Sequence, residues 1–282
     1  MTERSFTATG PDRDPVTIDS EVAHTSRIYD YLLGGTDNFA VDREVAQEAF
    51  SQYPGGLDGA RADARANRAF LQRAVRFLAE EAGVRQFLDV GTGIPTAGNI
   101  HSIAQQVAPG SRIVYVDNDP MVLAHAHALL RGTPDGATAY VNGDLRQPAE
   151  ILGQAADTLD LSQPVAIVLV GILHVIPDDD APHKSVAALL DAVPSGSYLA
   201  LSHMTSDGGG ADSTRVWSHL DDRMRTTNRP AVRPVAEVAR FFDGLELVEP
   251  GLVAASAWRP DASAAQNDGR PMPVFGGVAR KR

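Results

Sequence analysis

The sequence predicts an α/β protein on a mainly parallel sheet, preceded by an all-helical segment. Three observations carry this. From about residue 84, short apolar runs alternate with helical stretches, a pattern that implies parallel strands joined by right-handed crossovers. One run, VAIVLVG at 165–171, is apolar throughout, as a strand buried on both faces must be. At the C-terminal end, 244–253 and 273–281 look like strands with no helix between them, so an antiparallel strand can close the sheet.

Taken in order, residues 1–20 are polar, contain Pro11 and Pro15, and read as a loose tail. From Glu21 the pattern turns helical, with Val22, Tyr29, Leu32 and Leu33 near one face and Gly34-Gly35 as a stop. A second helix is expected over about 41–53, ended by Pro54-Gly55-Gly56, and a third, long one over about 57–82. The first strand is VRQFLDV (84–90), followed by GTGIPTAG and a helix to about Val107. RIVYVD (112–117) is the second strand. Asp119-Pro120 then caps and opens a helix to Leu130. ATAYVN (137–142) leads into a helix at 148–159, and 165–171 into one at 182–192. YLALSH (198–203), a helix near 213–225, a short one at 234–242 and the two terminal runs complete seven strands. The chain thus divides into a tail (1–20), a helical lid or cap (21–82) and a sheet domain (83–282).

Composition narrows the chemistry. With 282 residues and 43% hydrophobic content the chain can bury a large core. It has no cysteine, which excludes disulfides, thiolate zinc sites, iron–sulfur clusters and a cysteine nucleophile. The formal charge is −11, against the basic face that nucleic acid or an anionic membrane requires. The longest strongly apolar run, 165–173, is too short to span a bilayer, and the first residues lack the apolar centre of a signal peptide. A cytoplasmic protein without nucleic-acid or membrane partners is the expectation.

The candidate site lies at the ends of the strands, where open α/β sheets bind ligands. Asp89-Val90-Gly91-Thr92-Gly93 stands between the first strand and its helix, and glycines there let a ligand approach the backbone. A dinucleotide fingerprint wants a third glycine where Thr96 stands. Asp89 would repel a pyrophosphate but suits a cationic ligand. Coulomb's law therefore favours S-adenosylmethionine (SAM), with its ammonium and sulfonium, over NAD. Asp117, ending the second strand beside Asn118, can accept both ribose hydroxyls of either cofactor. Asp119 reads as a helix N-cap. After the third strand, Asp144 can accept an adenine amine, and the Leu145 backbone N–H can meet a ring nitrogen. After the fourth, His174 is the candidate base, with His203, after the fifth, as second choice. A hydrogen-bonded structural histidine is the plain alternative for His174.

DVGTG, YVDNDP, GDLR and GILHVIPDDD together resemble the seven-stranded class I methyltransferases. RIYDYLLGGTDNFAVDR (27–43), FLDVGTGIPTAGN and ARFFDGLELVEPGLV are similar to a family of bacterial SAM-dependent methyltransferases, from about residue 20 onward. The resemblance implies the class I SAM-methyltransferase fold, a mainly parallel seven-stranded sheet with an antiparallel C-terminal strand, and SAM as cofactor. It implies no acceptor. It also gives the helical N-terminus the role of a lid over the cofactor, hinged at Gly34-Gly35. Asn38 and a tyrosine hydroxyl, Tyr31 or Tyr29, would bind the methionine carboxylate or order that lid, and Arg43 is a further carboxylate candidate.

The fourth strand lacks the Asn/Asp-Pro-Pro-aromatic signature of amino-base methylation. Asp178-Asp179-Asp180 could hold Mg²⁺, but a solvated helix-capping loop is preferred and no metal is assigned. The reading is methyl transfer to an unidentified small molecule. A non-catalytic module binding SAM or its demethylated product is the alternative, and an NAD-dependent oxidoreductase a weaker one.

Overall fold

The computed structural model describes residues 6–8, 16–95, 98–119, 121–122, 132–207, 231–260 and 272–282. The helices expected over 213–225 and over most of 120–130 lie outside them. Within the first twenty residues, two short strands, β1 (Phe6–Ala8) and β2 (Val16–Ile18), pair antiparallel. β-formers lead each, Phe-Thr in FTA and all of VTI, hidden in the polar composition that suggests a loose tail. Helices α1 (Thr25–Leu33), α2 (Ala40–Ala49) and α3 (Gly56–Glu80) follow.

The sheet strands are β3 (Gln86–Val90), β4 (Arg112–Asp117), β5 (Ala137–Asn142), β6 (Ala166–Val170) and β7 (Tyr198–Met204), then β8 (Leu245–Leu247), β9 (Val253–Ala254) and β10 (Val274–Lys281). Helices α4 (Ile100–Val107), α5 (Pro148–Ala155), α6 (Pro182–Asp191) and α7 (Val235–Ala239) alternate with them. Seven strands run in the order β5-β4-β3-β6-β7-β10-β8, and the two-residue β9 joins β10 off that path. β3 to β7 are parallel, and β10 is antiparallel to both β7 and β8. The run expected as one strand over 244–253 is split by a turn in which Gly251 N–H bonds to the Val248 carbonyl.

Period-two alternation feeds two cores. Leu88, Val90, Val114, Val116, Ile167 and Leu169 face α5, α6 and α7. Phe87, Ile113, Tyr115, Ala166 and Val168 face α3 and α4. α3 belongs to the second core: Phe70, Ala74, Val75 and Leu78 are fully buried against the sheet. It lies so close to β10 that a Cβ on Gly276 would stand 2.8 Å from the Phe70 ring. Its second half is therefore sheet-packing structure, and a division at residue 82 cuts through that core.

A third cluster joins Ile28 and Leu32 of α1 to Val45, Ala49 and Phe50, to the first half of α3 and to Val175 after β6. Gly34 takes the left-handed C-cap conformation of α1 (φ 86). Gly35 fits only because it lacks a side chain, since a Cβ there would lie 1.9 Å from Asp30 Oδ1. The buried Asp30 carboxylate in turn accepts hydrogen bonds from Asp37 N and Asn38 Nδ2. The glycine pair expected as a flexible hinge is thus a helix cap closed on Asp30. Among the described residues, no helix is long and apolar enough to cross a membrane.

Candidate active site

A cleft holding about 160 Å³ of water-accessible space opens at the carboxyl ends of β3, β4, β5 and β6, covered by α1. The strand order reverses here, because from β3 the chain moves to β4 on one side and later to β6 on the other. Nine of the twelve expected site residues line the cleft: Asp89, Gly91, Thr92, Gly93, Asp117, Asn118, Asp144, Leu145 and His174.

The glycine loop is built from its backbone outward. Gly91 and Gly93 hold positive φ (78 and 66), which glycine adopts without steric penalty. The N–H groups of Gly91 and Thr92 bond to the Val116 carbonyl, at 2.9 and 3.2 Å. Asp117 Oδ2 accepts from Gly93 N (2.8 Å), and its Oδ1 from Asp119 N (2.9 Å). Asp117 therefore braces the loop while its edge faces the cleft. Burial raises its pKa to about 6, opposed by those backbone hydrogen bonds.

Asp89 is more strongly perturbed. Burial lifts it to about 7, countered by the charge of Arg68 and the Thr92 hydrogen bond and reinforced by Asp117. Asp144 is clasped by Arg146 Nη1 (3.0 and 3.1 Å) and bonded by Asn118 Nδ2 (3.0 Å). Arg146 also pairs with Asp180 at 2.7 Å, and Asp178 pairs with Arg233 at 2.6 Å, so two of the three consecutive aspartates are bound to arginines. Among the described residues no group of three or more side chains could hold a metal ion.

α1 is latched over this floor. Asp119 Oδ1 accepts from Met121 N (2.9 Å), as a helix cap does, while its Oδ2 accepts from Ser26 Oγ (2.7 Å) and faces His24 Nδ1 (3.0 Å). Tyr29 reaches inward: its hydroxyl donates to the Ala64 carbonyl and accepts from Asn67 Nδ2, both at 3.1 Å. Asn67 Oδ1 in turn accepts from Ser202 Oγ at 2.6 Å.

Three expected residues lie elsewhere. Tyr31 accepts from Gln47 Nε2 (3.1 Å) and stacks under the Arg61 guanidinium, so it points away from the cleft. Positions two apart on a helix differ by roughly 200°, so Tyr29 and Tyr31 cannot both face inward. Asn38 is held by its own loop: its amide donates to Asp30 and Gly35, and its carbonyl oxygen accepts from Arg43 Nη1 (2.9 Å). Arg43 is thereby held there as well. His203 is fully buried. Its Nδ1 donates to the Met204 carbonyl (2.6 Å) and its Nε2 accepts from Arg233 Nη1 (2.9 Å), which leaves no lone pair to take a substrate proton. Burial, His174 and Arg233 hold its pKa well below the ordinary value.

Arg233, 2% exposed, also donates to the carbonyls of Leu173 and Ile176 and so fixes the loop carrying His174. Burial, then the charge of Arg233, lowers His174 to about 4. It lines the cleft as a neutral imidazole, its ring 5.9 Å from that of His203.

Arg68 of α3 was missed. It lines the cleft beside Asp89, with Nη2 on Asn99 Oδ1 at 2.6 Å and a buried Nε that has no hydrogen-bond partner. The signal was positional: Arg68 follows Ala64 by four and precedes Leu71 by three, a cation on a buried helical stripe.

A mainly parallel α/β sheet with a glycine loop and acidic groups at the ends of β3, β4 and β5 marks a ligand-binding protein of the doubly wound class, its cleft at the switch point. The family comparison identifies that class. Residues 11–282 match the S-adenosyl methyltransferase family model, and the chain belongs to this family. It is 46% identical to a DUF574-family protein from Streptomyces avermitilis (94% of this chain, 99% of that one, TM-score 0.88). It is 40% identical to a structure from Thermobifida fusca described as a candidate methyltransferase (93% and 96%, TM-score 0.84). No curated protein matches it. The chain is a SAM-dependent methyltransferase with the class I fold.

Proposed function

We propose that this cleft binds SAM and that a small-molecule acceptor enters beside His174, in a cytoplasmic enzyme as the sequence suggests. The observation that carries the reading is the convergence of Asp89, Asp117 and Asp144 around Gly91–Gly93. The cradle fits such a ligand. A Cβ built on Gly93 would meet nothing within 4 Å, so a ligand can approach the backbone there. The carboxylates oppose a pyrophosphate and favour a cation. When bound, SAM supplies an electrophilic methyl group to a nucleophilic atom of the acceptor.

The chain's residues divide the remaining work. Asp117 accepts the ribose hydroxyls. Asp144 and the Leu145 N–H meet the adenine edge, and Asn118 orients Asp144. Asp89 faces the ammonium, and Arg68, which lines the cleft beside it, the carboxylate. His174, held neutral at a pKa of about 4, can accept a hydrogen bond that orients a protic acceptor but is a weak base for its proton. The covering α1 excludes water and positions the acceptor.

The acid titrations supply the test. Asp89 is protonated below about 7 and Asp117 below about 6, and both must be ionised to meet an ammonium and ribose hydroxyls. Binding therefore expels protons, and affinity rises with pH. Calorimetry with S-adenosylhomocysteine from pH 5.5 to 7 keeps the ligand's α-amino group protonated, because the ammonium of a free amino acid titrates above even the chain-terminal range. The dissociation constant is expected to rise about tenfold per pH unit as pH falls from 7 to 6, and more steeply below 6. Proton release should be visible in buffers of different ionisation enthalpy. A dissociation constant independent of pH across this window contradicts the placement of the ammonium at Asp89.

A further inference from the structure

The cleft has a second, apolar end that the cofactor assignments leave unused. Ile28 and Leu32 of α1, together with Phe50, are buried (5%, 6% and 3% exposed) yet line the cleft, opposite Val175 from the loop after β6. All four belong to one packed cluster. Ile172 connects this end to the glycine loop: it sits so close that a Cβ on Gly91 would be 2.7 Å from its side chain. The apolar chamber thus adjoins Gly91 and Asp89, where the methionine end of SAM is placed.

Of the charges of the cleft, Arg68 adjoins this chamber, close enough to Tyr29 to act on its hydroxyl electrostatically. Asp89, Asp117, Asp144 and Arg146 stand at the ends of β3 to β5, and Arg68 reaches Asn99 beside Asp89. Tyr29 and His174 are the polar lining residues beside Ile28 and Val175, with Thr25 and Ser26 one turn earlier on α1. Tyr29 already bonds to Ala64 and Asn67, and His174 is neutral because burial and Arg233 hold its pKa near 4. A phosphate or carboxylate placed there would lose its hydration and find only Arg68, already assigned to the cofactor carboxylate, and an incompletely paired buried charge is heavily penalised. An ammonium would find only Asp89, already assigned to the cofactor.

We infer that the acceptor is an uncharged, largely apolar molecule, seated between α1 and the loop after β6 with its nucleophilic atom toward His174. This rests on the proposed cofactor placement. The apolar lining disfavours nucleotides, phosphorylated metabolites and charged peptides as acceptors.

The test titrates S-adenosylhomocysteine-saturated protein with 2-naphthol and with 2-naphthyl phosphate, which share a ring and differ in charge. 2-Naphthol should bind saturably, and the phosphate at least about a hundredfold more weakly. Val175→Asp, which adds a charge to the chamber, and Leu32→Trp, which fills it, should each abolish 2-naphthol binding with S-adenosylhomocysteine affinity unchanged. Thermal unfolding identifies a variant that misfolds, and the other variant then decides. Equal or tighter binding of the phosphate, no binding of 2-naphthol, or binding unmoved by a folded variant overturns the inference. Failure of the folded wild-type protein to bind S-adenosylhomocysteine overturns the cofactor reading instead, and is seen before either probe is added.

Discussion

Replacing Asp117 with alanine is expected to weaken S-adenosylhomocysteine binding about a hundredfold, close to 2.7 kcal/mol. The carboxylate sits at the end of β4 and braces the glycine loop through Gly93 N, at 2.8 Å. The proposed ribose contact adds two hydroxyl donors to the same group. Hydrogen bonds to a charged acceptor contribute about 1.5–3 kcal/mol each, so two lost bonds bound the effect at roughly 3–6 kcal/mol. The loss should be smaller than that bound, because removing a carboxylate buried at a raised pKa also relieves a desolvation penalty. Asp117→Asn keeps the shape and one acceptor oxygen, and should lose about tenfold. Calorimetry on folded variants reads both values. Unchanged affinity in Asp117→Ala would show that this side chain only organises the loop.

Gly91→Ala is expected to have the largest effect on stability. At φ 78 an alanine carries about 1–2 kcal/mol of left-handed strain. Its Cβ would also stand 2.7–2.8 Å from three atoms of Ile172, and forced packing of this kind costs about 1–3 kcal/mol. The sum, about 2–5 kcal/mol, corresponds to a fall in melting temperature of roughly 5–15 °C for a chain of this size. Gly93→Ala is the internal control: its φ of 66 carries the same strain, but nothing lies within 4 Å of the added atom. Its loss should stay near 1–2 kcal/mol. Equal melting temperatures for the two variants would contradict the packing of Ile172 on the glycine loop.

The strands and their acidic ends were legible because both signals are local. An apolar run such as 165–171 needs no partner to be recognised, and an aspartate or glycine directly after it is placed by strand polarity alone. Residues whose role depends on a distant element were not legible. His203 was expected just beyond its strand, facing the crevice. β7 runs on to Met204, which puts His203 inside the alternation. Ser202 then faces Asn67, and His203 faces Arg233.

The motif 27–43 was legible as distinctive but not as to purpose. Asp30, Gly35, Asn38 and Arg43 bond to one another, and nothing in the linear order separates a loop that closes on itself from one that closes on a ligand. Arg68 is one arginine among several on α3. Its place on the buried stripe is a signal in the sequence, but only the tertiary placement of α3 on the sheet brings it to Asp89.

The most direct test of the account is a crystal structure of the protein with S-adenosylhomocysteine, read at three contacts. The ribose hydroxyls should lie within hydrogen-bond distance of Asp117, the ammonium at Asp89, and the carboxylate at Arg68. The homocysteine end should point toward Ile172 and His174. Density for the ligand outside this cleft, or in it with the ribose away from Asp117 and the amino-acid end turned toward Asp144, would contradict the account.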